Sequence, residues 1–411
     1  MYSGILKKTG FVIFIFTLLF LTTNRTAAQP GDNIRLAYVR NNTVMLADYE
    51  GTPLTNPGPE LGEWQSARLF WTPDGETLYV ATRQGLFVTG AQGGAAVRLP
   101  GEFGLTVVPA RHGGVLYNID VDNPQPVSEN IAAFPLRETN LASAEGGRGR
   151  MVTIIGNYQI STVNVALTHA AAVYARGGGL LEGGRPQIWT SYGGSVFYSC
   201  CFPNPGLGML SIGSGEIFTY DEDFLPGAAA LNATSSRLVG PTTDGIIRTI
   251  DLITSGTRDY IIDIPGGVGP IERMAWSLDE SAIYFISREA PTSPLELVPG
   301  VTYPADTRSA NAVLWKLDII NGHTNQVASF GDVFGVPSLA VTNEFIFAVV
   351  VERNEELVNA LNTGVLDPSI QPGDPLLDGY VPRSVLWRVD LSGTAMFAID
   401  ENIWGVIARP Y

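Results

Sequence analysis

Side chains able to carry out acid–base or metal chemistry are sparse in this chain. Among its 411 residues only His112, His169 and His323 are histidines. His112 and His323 stand in glycine-containing turn sequences, and His169 precedes an apolar stretch, so nothing in the sequence groups them. None shows the helix-borne spacing of a zinc motif. We expect a turn or structural role for each, rather than catalysis or metal binding.

Acidic clusters are the next candidates, because calcium prefers carboxylate oxygens as ligands. The segment Asp120-Val-Asp122-Asn123 places two carboxylates on one side of an extended chain, and Asp221-Glu222-Asp223 is a run of three acids. Neither matches the calcium loop of an EF-hand. We expect solvated turn acids and no cofactor, with calcium as the alternative that the sequence leaves open. Paired carboxylates for glycoside cleavage need a separation in space that sequence spacing does not give.

Nucleophilic chemistry has little support. The segment Gly193-Gly-Ser195-Val-Phe197 lacks the closing glycine of a G-x-S-x-G elbow. The two cysteines, Cys200 and Cys201, are adjacent, and neighbouring Cα atoms lie about 3.8 Å apart, below the usual range for a disulfide. We expect two buried thiols, with a strained vicinal disulfide as the alternative. The sequence therefore predicts no catalytic, cofactor-binding or metal-binding residue.

Two features of the sequence point to the surface instead. Trp64 lies in a loop-like Gly-Glu-Trp-Gln segment and is a candidate for contact with a ligand. The segments Asn41-Asn-Thr43 and Asn232-Ala-Thr234 fit the sequon for N-glycosylation, which matters only in a cell that glycosylates exported proteins.

The elements that position these residues are predicted by an internal repeat. Trp71-Thr-Pro-Asp74-Gly75-Glu-Thr-Leu-Tyr-Val aligns without gaps with Trp276-Ser-Leu-Asp279-Glu280-Ser-Ala-Ile-Tyr-Phe. Each copy has the pattern of a strand end, a tight turn and a buried strand, since Asp bonds its own backbone and Gly accepts a positive φ. The β-branched and aromatic residues that follow favour strands.

A second strand pattern recurs in each repeat. Val313-Leu-Trp315-Lys-Leu-Asp318 matches Val385-Leu-Trp387-Arg-Val-Asp390, and weaker copies occupy residues 247–251 and 44–48. A glycine follows each copy, and then another short strand; these glycines are Gly51, Gly256, Gly322 and Gly393. The order is a meander of four strands over about 40 residues, which is typical of the blades of a β-propeller.

The Trp71-Thr-Pro-Asp74-Gly75 segment resembles the W-S-P-D-G core of the PD40 repeat in TolB-like, WD40-like β-propellers. Trp276-Ser-Leu-Asp279-Glu280 resembles a degraded copy of the same core. Similar blades occur in the propeller domains of prolyl oligopeptidase relatives. The resemblance implies a propeller fold, whereas the hydrolase chemistry of those relatives has no matching motif here.

We therefore predict an all-β fold, a single propeller of about seven four-stranded blades, with six or eight left open. Residues 104–227 are ambiguous, because Trp189 fits either tryptophan pattern and each choice leaves an extra hairpin. Two long insertions, 289–311 and 353–383, are predicted between the second and third strands of their blades. We expect the strand at 402–409 to complete the blade begun by residues 34–57 and so close the ring.

The N-terminus predicts export. Residues 1–28 read as a signal peptide, with Lys7 and Lys8 before an apolar run and small residues at 26–28. An uncleaved membrane anchor is the alternative, although the run is shorter than a bilayer span. The remaining residues, 29–411, form the propeller domain, and the predicted location is the periplasm or the cell exterior.

Charge excludes some partners. The net charge is −15, and removing residues 1–28 takes away three basic residues and no acid, which leaves −18. Such a chain repels nucleic-acid phosphates and anionic membrane surfaces. We expect no nucleic acid and no membrane span beyond the signal segment, while the oligomeric state is not predicted.

The function best supported by the sequence is a non-catalytic scaffold that binds a protein or peptide outside the cytoplasm. The two insertions are its predicted contact surface, because binding loops are carried on rigid scaffolds. Two alternatives remain: an enzyme acting on glycans or phosphate esters with carboxylates and calcium, and a structural protein of envelope assembly.

Overall fold

The computed structural model describes the chain from residue 33 to residue 410, and between residues 107 and 192 it describes backbone only. The segments it leaves out are 42, 60–67, 73, 83, 100–106, 110–114, 120–124, 129–130, 141–148, 155–160, 166–167, 175–186, 193–194, 200–205, 212–216, 226–227, 263, 265–268, 289–309, 368–374 and 381–382. The predicted signal peptide, 1–28, lies outside the described residues.

Nearly all described elements are β-strands. The first seven are β1 (Leu36–Arg40), β2 (Thr43–Ala47), β3 (Pro53–Thr55), β4 (Arg68–Trp71), β5 (Thr77–Thr82), β6 (Gly85–Gly90) and β7 (Val97–Arg98). The next seven are β8 (Val107–Pro109), β9 (Val115–Ile119), β10 (Gln125–Ser128), β11 (Ile131–Asn140), β12 (Gly149–Ile154), β13 (Ser161–Val165) and β14 (Thr168–Tyr174). Eight more are β15 (Gln187–Tyr192), β16 (Ser195–Ser199), β17 (Leu207–Ser211), β18 (Ile217–Asp221), β19 (Ala230–Leu231), β20 (Arg237–Pro241), β21 (Ile247–Asp251) and β22 (Thr257–Tyr260).

The C-terminal part continues the pattern and adds two short helices. Its strands are β23 (Ile271–Trp276), β24 (Ala282–Arg288), β25 (Ala310–Asp318), β26 (Thr324–Val341), β27 (Phe345–Glu352), β28 (Ser384–Asp390), β29 (Met396–Glu401) and β30 (Ile403–Ala408). The helices are α1 (Glu355–Asn362) and a 3₁₀ helix (Pro375–Tyr380).

Most strands form antiparallel meanders of four, and these are the blades. Complete blades are β4–β7, β15–β18 and β19–β22. A seven-stranded sheet from β23 to β29 is two blades joined by β26, whose first half pairs with β25 and whose second half pairs with β27. Gly331, at φ 73°, lies near the crossover. The chain passes there from the last strand of one blade to the first strand of the next.

The segment that the sequence left ambiguous forms one irregular blade. Strands β8, β9, β11 and β12 pair in that order, β10 pairs with the start of β11, and β13–β14 is an additional hairpin. Trp189 lies on β15, the first strand of the next blade, so it follows the Trp71 pattern and β13–β14 is the extra hairpin. Over the described residues the blades number seven, in agreement with the prediction.

The two ends of the chain share one blade. Strand β30 pairs antiparallel with β1 from Leu36↔Ala408 to Arg40↔Ile403, which gives the strand order β3-β2-β1-β30. The predicted closure by the C-terminal strand is therefore confirmed. Numbered from this one, which is blade 1, the blades run in chain order to blade 7. Most first strands also lie beside the first strand of a neighbouring blade, as β30 lies beside both β26 and β4.

The hydrophobic core consists of layers between neighbouring blades. One layer joins Val239 and Tyr260 of blade 5 to Met274 and Trp276 of blade 6, and Trp315 packs against it. Equivalent layers lie between blades 6 and 7, 7 and 1, 1 and 2, and 4 and 5. The repeat tryptophans Trp71 and Trp276 are buried in such layers, because apolar side chains on both faces of a blade must be buried against its neighbours.

Asp and Gly form the tight turns largely as the repeat predicts. After β4, Asp74 Oδ1 accepts hydrogen bonds from Thr72 Oγ1 at 2.5 Å and Glu76 N at 3.0 Å, and Gly75 has φ 68°. The bond from Thr72 holds the pKa of Asp74 below its usual value. In the turn after β21 the positive φ, 61°, is at Ser255, the residue before Gly256.

Candidate partner-binding face

The meander gives the propeller two distinct faces. Turns between first and second strands, and between third and fourth strands, lie on one face, here called the turn face. Connections between second and third strands lie on the opposite face, here called the insertion face, because successive antiparallel strands reverse direction. The two long insertions follow β24 and β27. They therefore fall between second and third strands as predicted, on the insertion face of neighbouring blades 6 and 7.

The second insertion contains a folded unit, here called the insertion cap, whose described residues are 353–367, 375–380 and 383. Asn354 caps α1: its Oδ1 accepts a hydrogen bond from Leu357 N at 3.0 Å, and its Nδ2 donates to Tyr380 O at 3.1 Å. Leu357 and Val358 are buried against Phe334, at the crossover of β26. The cap is thus packed onto the ring.

Helix α1 was not predicted from the sequence. A signal for it existed, because Asn354 precedes two glutamates and an apolar pair at residues 357–358. That order is typical of a helix N-terminus. The Pro, Asp and Asn content of the whole insertion concealed it.

Arg288, which directly precedes the first insertion, bonds to β26, the strand on which the insertion cap packs. It is the last residue of β24 and is buried. Its Nη2 donates hydrogen bonds to the carbonyl oxygens of Val333, at 3.0 Å, and Phe334, at 2.8 Å. Its Nε lies 3.1 Å from Glu272 Oε1, and Glu272 Oε2 accepts from Val336 N at 3.0 Å. Both insertions are therefore rooted at one stretch of β26.

Arg273 strengthens the same junction. Its Nε donates to Pro337 O at 2.6 Å and its Nη1 to Glu272 O at 2.6 Å. Burial lowers the pKa of Arg273, and the neighbouring Glu272 opposes that shift. Arg273, Arg288 and Glu272 thus bond to the backbone of β26 and join the first strands of blades 6 and 7. The arrangement can fix the position of a surface, which is what recognition of a macromolecule requires.

His323 and the acidic run 221–223 have described surroundings. His323 is exposed in the turn after β25, where its backbone N donates to Asn321 Oδ1. For Asp221 the expectation of a solvated acid was wrong: it is buried and lies 3.0 Å from Arg248 Nη1 of blade 5. Glu222 and Asp223 are exposed. An arginine 27 residues away in sequence gave no local signal.

The other candidates cannot be placed as side chains. His169 lies on β14, where the backbone alone is described. The candidates outside the described residues are Trp64, His112, Asp120, Asp122, Gly193, Cys200 and Cys201. Within the described part of the chain, no three His, Cys, Asp or Glu side chains are grouped as metal ligands. No described helix is long and apolar enough to cross a bilayer.

Comparison with known proteins yields similarity of fold. No protein-family model matches the chain, and no curated protein sequence matches it. Similar solved structures include TolB from Acinetobacter baumannii, at 11% identity and a TM-score of 0.39, with 71% of this chain and 62% of that chain covered. The match thus spans less than two thirds of that protein.

Two further structures cover more of their own length. The β-propeller domain of Cps50 (Swd1) from Myceliophteria thermophila has 11% identity and a TM-score of 0.43, with 82% of this chain and 85% of that chain covered. A putative TolB from Agrobacterium tumefaciens has 11% identity and a TM-score of 0.39, with 74% and 91% covered. The chain is a β-propeller of four-stranded blades, a fold that its own strand order and inter-blade cores establish.

Proposed function

We propose that this protein is an exported, non-catalytic scaffold that binds a protein or peptide partner on the insertion face. The observation that carries the proposal is the common root of the two insertions. Arg288, at the base of one insertion, bonds to Phe334, and the helix of the other insertion is packed on Phe334. Two insertions whose flanking strands share one rigid base are placed to act together in recognition, since binding segments are carried on rigid scaffolds.

The rest of the insertion face supports this choice of surface. In blades 1, 2 and 5 the connection between second and third strands runs only over residues 41–42, 83–84 and 242–246. In blades 6 and 7 the same connection spans 289–309 and 353–383. Long loops at two adjacent positions of a repeating scaffold are typical of a binding role. The predicted signal segment, 1–28, is the basis for proposing that binding occurs outside the cytoplasm.

The test is affinity capture with tagged residues 29–411 from the extracytoplasmic fraction of the source cell, read by mass spectrometry. The matched variant has Gly-Ser linkers in place of 289–309 and 353–383. It also carries Phe334→Ser, because removal of the insertion would otherwise expose the phenyl side chain of Phe334. We expect the native chain to retain a specific protein that the variant loses. A control with Gly-Ser residues inserted at 319–323, on the turn face, should retain it.

Folding is checked in parallel by thermal unfolding, since the variant must keep a cooperative transition for the comparison to count. If the native chain and a folded variant capture the same proteins, the insertions are not the binding surface.

A further inference from the structure

We propose that Asn321 is a site of spontaneous covalent modification, at which the side-chain amide is converted to aspartate and isoaspartate. Asn321-Gly322 is the only Asn-Gly pair in the sequence. It lies in the turn between β25 and β26, on the turn face of blade 6. The site is thus on the opposite face of the ring from the two insertions, and the inference does not depend on the binding function proposed above.

The reaction needs only the chain itself and water, and asparagine is among the thermolabile residues of proteins. The backbone nitrogen of Gly322 loses its proton and bonds to Cγ of Asn321. The Cγ–Nδ2 bond breaks, the amide nitrogen takes up a proton and leaves as ammonia, and a cyclic imide remains. Water then opens the imide at either carbonyl carbon. One opening yields aspartate, and the other routes the main chain through the side-chain carbons and yields isoaspartate.

Three features of the turn favour the first step. Asn321 is exposed, so water reaches its amide. Its Oδ1 accepts a hydrogen bond from His323 N at 2.8 Å, which folds the side chain back over the peptide unit of Gly322 and polarises the carbonyl group that is attacked. Gly322 has no side chain beside the attacking nitrogen. Apart from its chain neighbours, no described atom lies within 4 Å of the position a Cβ would take there.

One set of contacts opposes the reaction. The N–H of Gly322 donates to Asp318 O at 2.9 Å, and this bond must open before the nitrogen loses its proton. Asp318 Oδ1 also accepts hydrogen bonds from Ile320 N and Asn321 N, which hold the turn in shape. Exposed turns open locally at a smaller cost in free energy than core strands do. We therefore expect folding to slow the reaction at Asn321 without preventing it.

Other exposed asparagines lack the open glycine. Asn325 lies on β26, within the strand ladder, and Gln326 follows it. Asn402 is followed by Ile403, whose β-branched side chain crowds the attacking nitrogen. Both asparagines are exposed, so exposure alone does not select the site. We expect the reaction at Asn321 to be at least about tenfold faster than at either of them.

The product changes the turn face of blade 6. Aspartate adds a negative charge beside the backbone oxygen of Ile320, which Arg258 Nη2 of blade 5 approaches at 3.5 Å. Isoaspartate adds a carbon atom to the main chain inside the turn that the bond from Asp318 N to His323 O, at 2.9 Å, closes. Either product makes the chain more acidic, which gives the reaction a direct readout.

The test incubates residues 29–411 in mildly alkaline buffer, once folded and once in concentrated guanidinium chloride. Isoelectric focusing follows the acidic form, and mass spectrometry of the tryptic peptide 317–353 compares Asn321 with Asn325 in one molecule. Enzymatic methylation of isoaspartate identifies the rearranged product. The test variant is Asn321→Gln, and the matched control is Asn325→Gln; both positions are exposed.

We expect the folded native chain and Asn325→Gln to accumulate the acidic form with isoaspartate at position 321. Folded Asn321→Gln should accumulate at least about tenfold less of it. In guanidinium chloride, conversion at Asn321 should be faster than in the folded chain. The inference would be overturned by an intact Asn321 in the folded chain after the denatured chain has been converted. Equal conversion at Asn321 and Asn325 in the folded chain would overturn it as well.

Discussion

At the scale of single residues, the side chain of Asn232 stabilises a tight turn that lacks the Asp-Gly pair of the repeat. Its Oδ1 accepts hydrogen bonds from Ser236 N at 2.8 Å and Arg237 N at 2.9 Å, and its Nδ2 donates to Glu280 Oε1 of the next blade at 2.7 Å. The side chain is only 3% exposed. The second sequon therefore falls on a buried amide whose bonds are all used, and this asparagine stabilises two turns at once.

The predicted consequence is a large stability difference between the two sequon asparagines. Asn232→Ala leaves two backbone N–H groups without their acceptor and removes the donor to Glu280 Oε1, while Arg237 still pairs with Glu280 Oε2. We therefore expect the free energy of unfolding to fall by about 1–3 kcal/mol. Asn41 is exposed in the turn between β1 and β2 and has a positive φ of 45°, so Asn41→Gly, which keeps that backbone conformation, should change it by about 0.5 kcal/mol or less. Urea denaturation of both variants measures the difference. Equal losses would contradict the role given to Asn232.

The same turn shows what the sequence could and could not reveal at residue scale. Thr72, Asn232 and Ser277 each donate a backbone N–H across an equivalent turn, to Thr77, Arg237 and Ala282. Two of these three turns are predictable from the sequence. The third is not, because the tryptophan and aspartate that mark the others are absent before and after Asn232. The Asn232 amide oxygen accepts two backbone N–H groups, whereas in the turn after Trp71 the Thr72 hydroxyl and the Asp74 carboxylate accept one each. A comparison of residue types does not reveal this equivalence.

At the scale of elements, neighbouring blades are joined by ion pairs that the sequence did not indicate. Arg248, on β21, bonds to Asp259 on β22, with Nε–Oδ1 at 2.7 Å, and to Asp221 at the end of β18, in blade 4. Strand positions followed from local patterns of β-branched residues and turns, which periodicity encodes. Contacts between blades bring together residues far apart in the chain, so they depend on the assembled ring.

This ion pair predicts a pH dependence of stability. Hydrogen bonding from Arg248 holds the pKa of Asp259 below its usual value of 3.8. A carboxylate with a lowered folded pKa stabilises the fold fully above its unfolded pKa, and the contribution is lost as pH falls through the folded pKa. Between about pH 5 and about pH 3, Arg248→Gln should therefore show a shallower fall in Tm than the native chain.

The control for this experiment is Arg258→Gln, on the adjacent strand. Arg258 lies over the ring of Tyr260, with its guanidinium carbon 4.8 Å from the ring centroid, and no ion pair involving it is found among the described residues. Its loss should lower Tm by a similar amount at each pH. A steep acid-induced fall that persists in Arg248→Gln would assign the transition to other carboxylates.

At the scale of the whole molecule, first strands are connected around the ring by side chains that bond to the backbone of the next blade. Ser338 Oγ donates to Val406 O at 2.9 Å and accepts from Val406 N at 3.0 Å, and Trp276 Nε1 donates to Ala230 O at 3.1 Å. Arg409 Nε donates to Gly75 O at 2.8 Å. The sequence predicted that the ends meet, because a lone strand and an incomplete blade remained, but it did not predict which side chains join them.

Deletion of residues 402–411 tests whether this closure stabilises the ring. The deletion removes β30, with Ile403 and Val406 exposed by only 0% and 1%, together with the Arg409 bonds to blade 2. Loss of several kcal/mol of burial and hydrogen bonding should lower Tm by about 10 °C or more, because 1 kcal/mol shifts Tm by about 2–4 °C in larger domains. A synthetic peptide of residues 402–411 added in trans should raise the Tm again as its concentration rises, since it binds only the folded ring.

An unchanged Tm on deletion would show that the terminal strand does not stabilise the remaining six blades and three strands. Recovery with the peptide would show that β30 stabilises the ring as a bound strand, through its pairing with β1 and its contacts with the neighbouring blades.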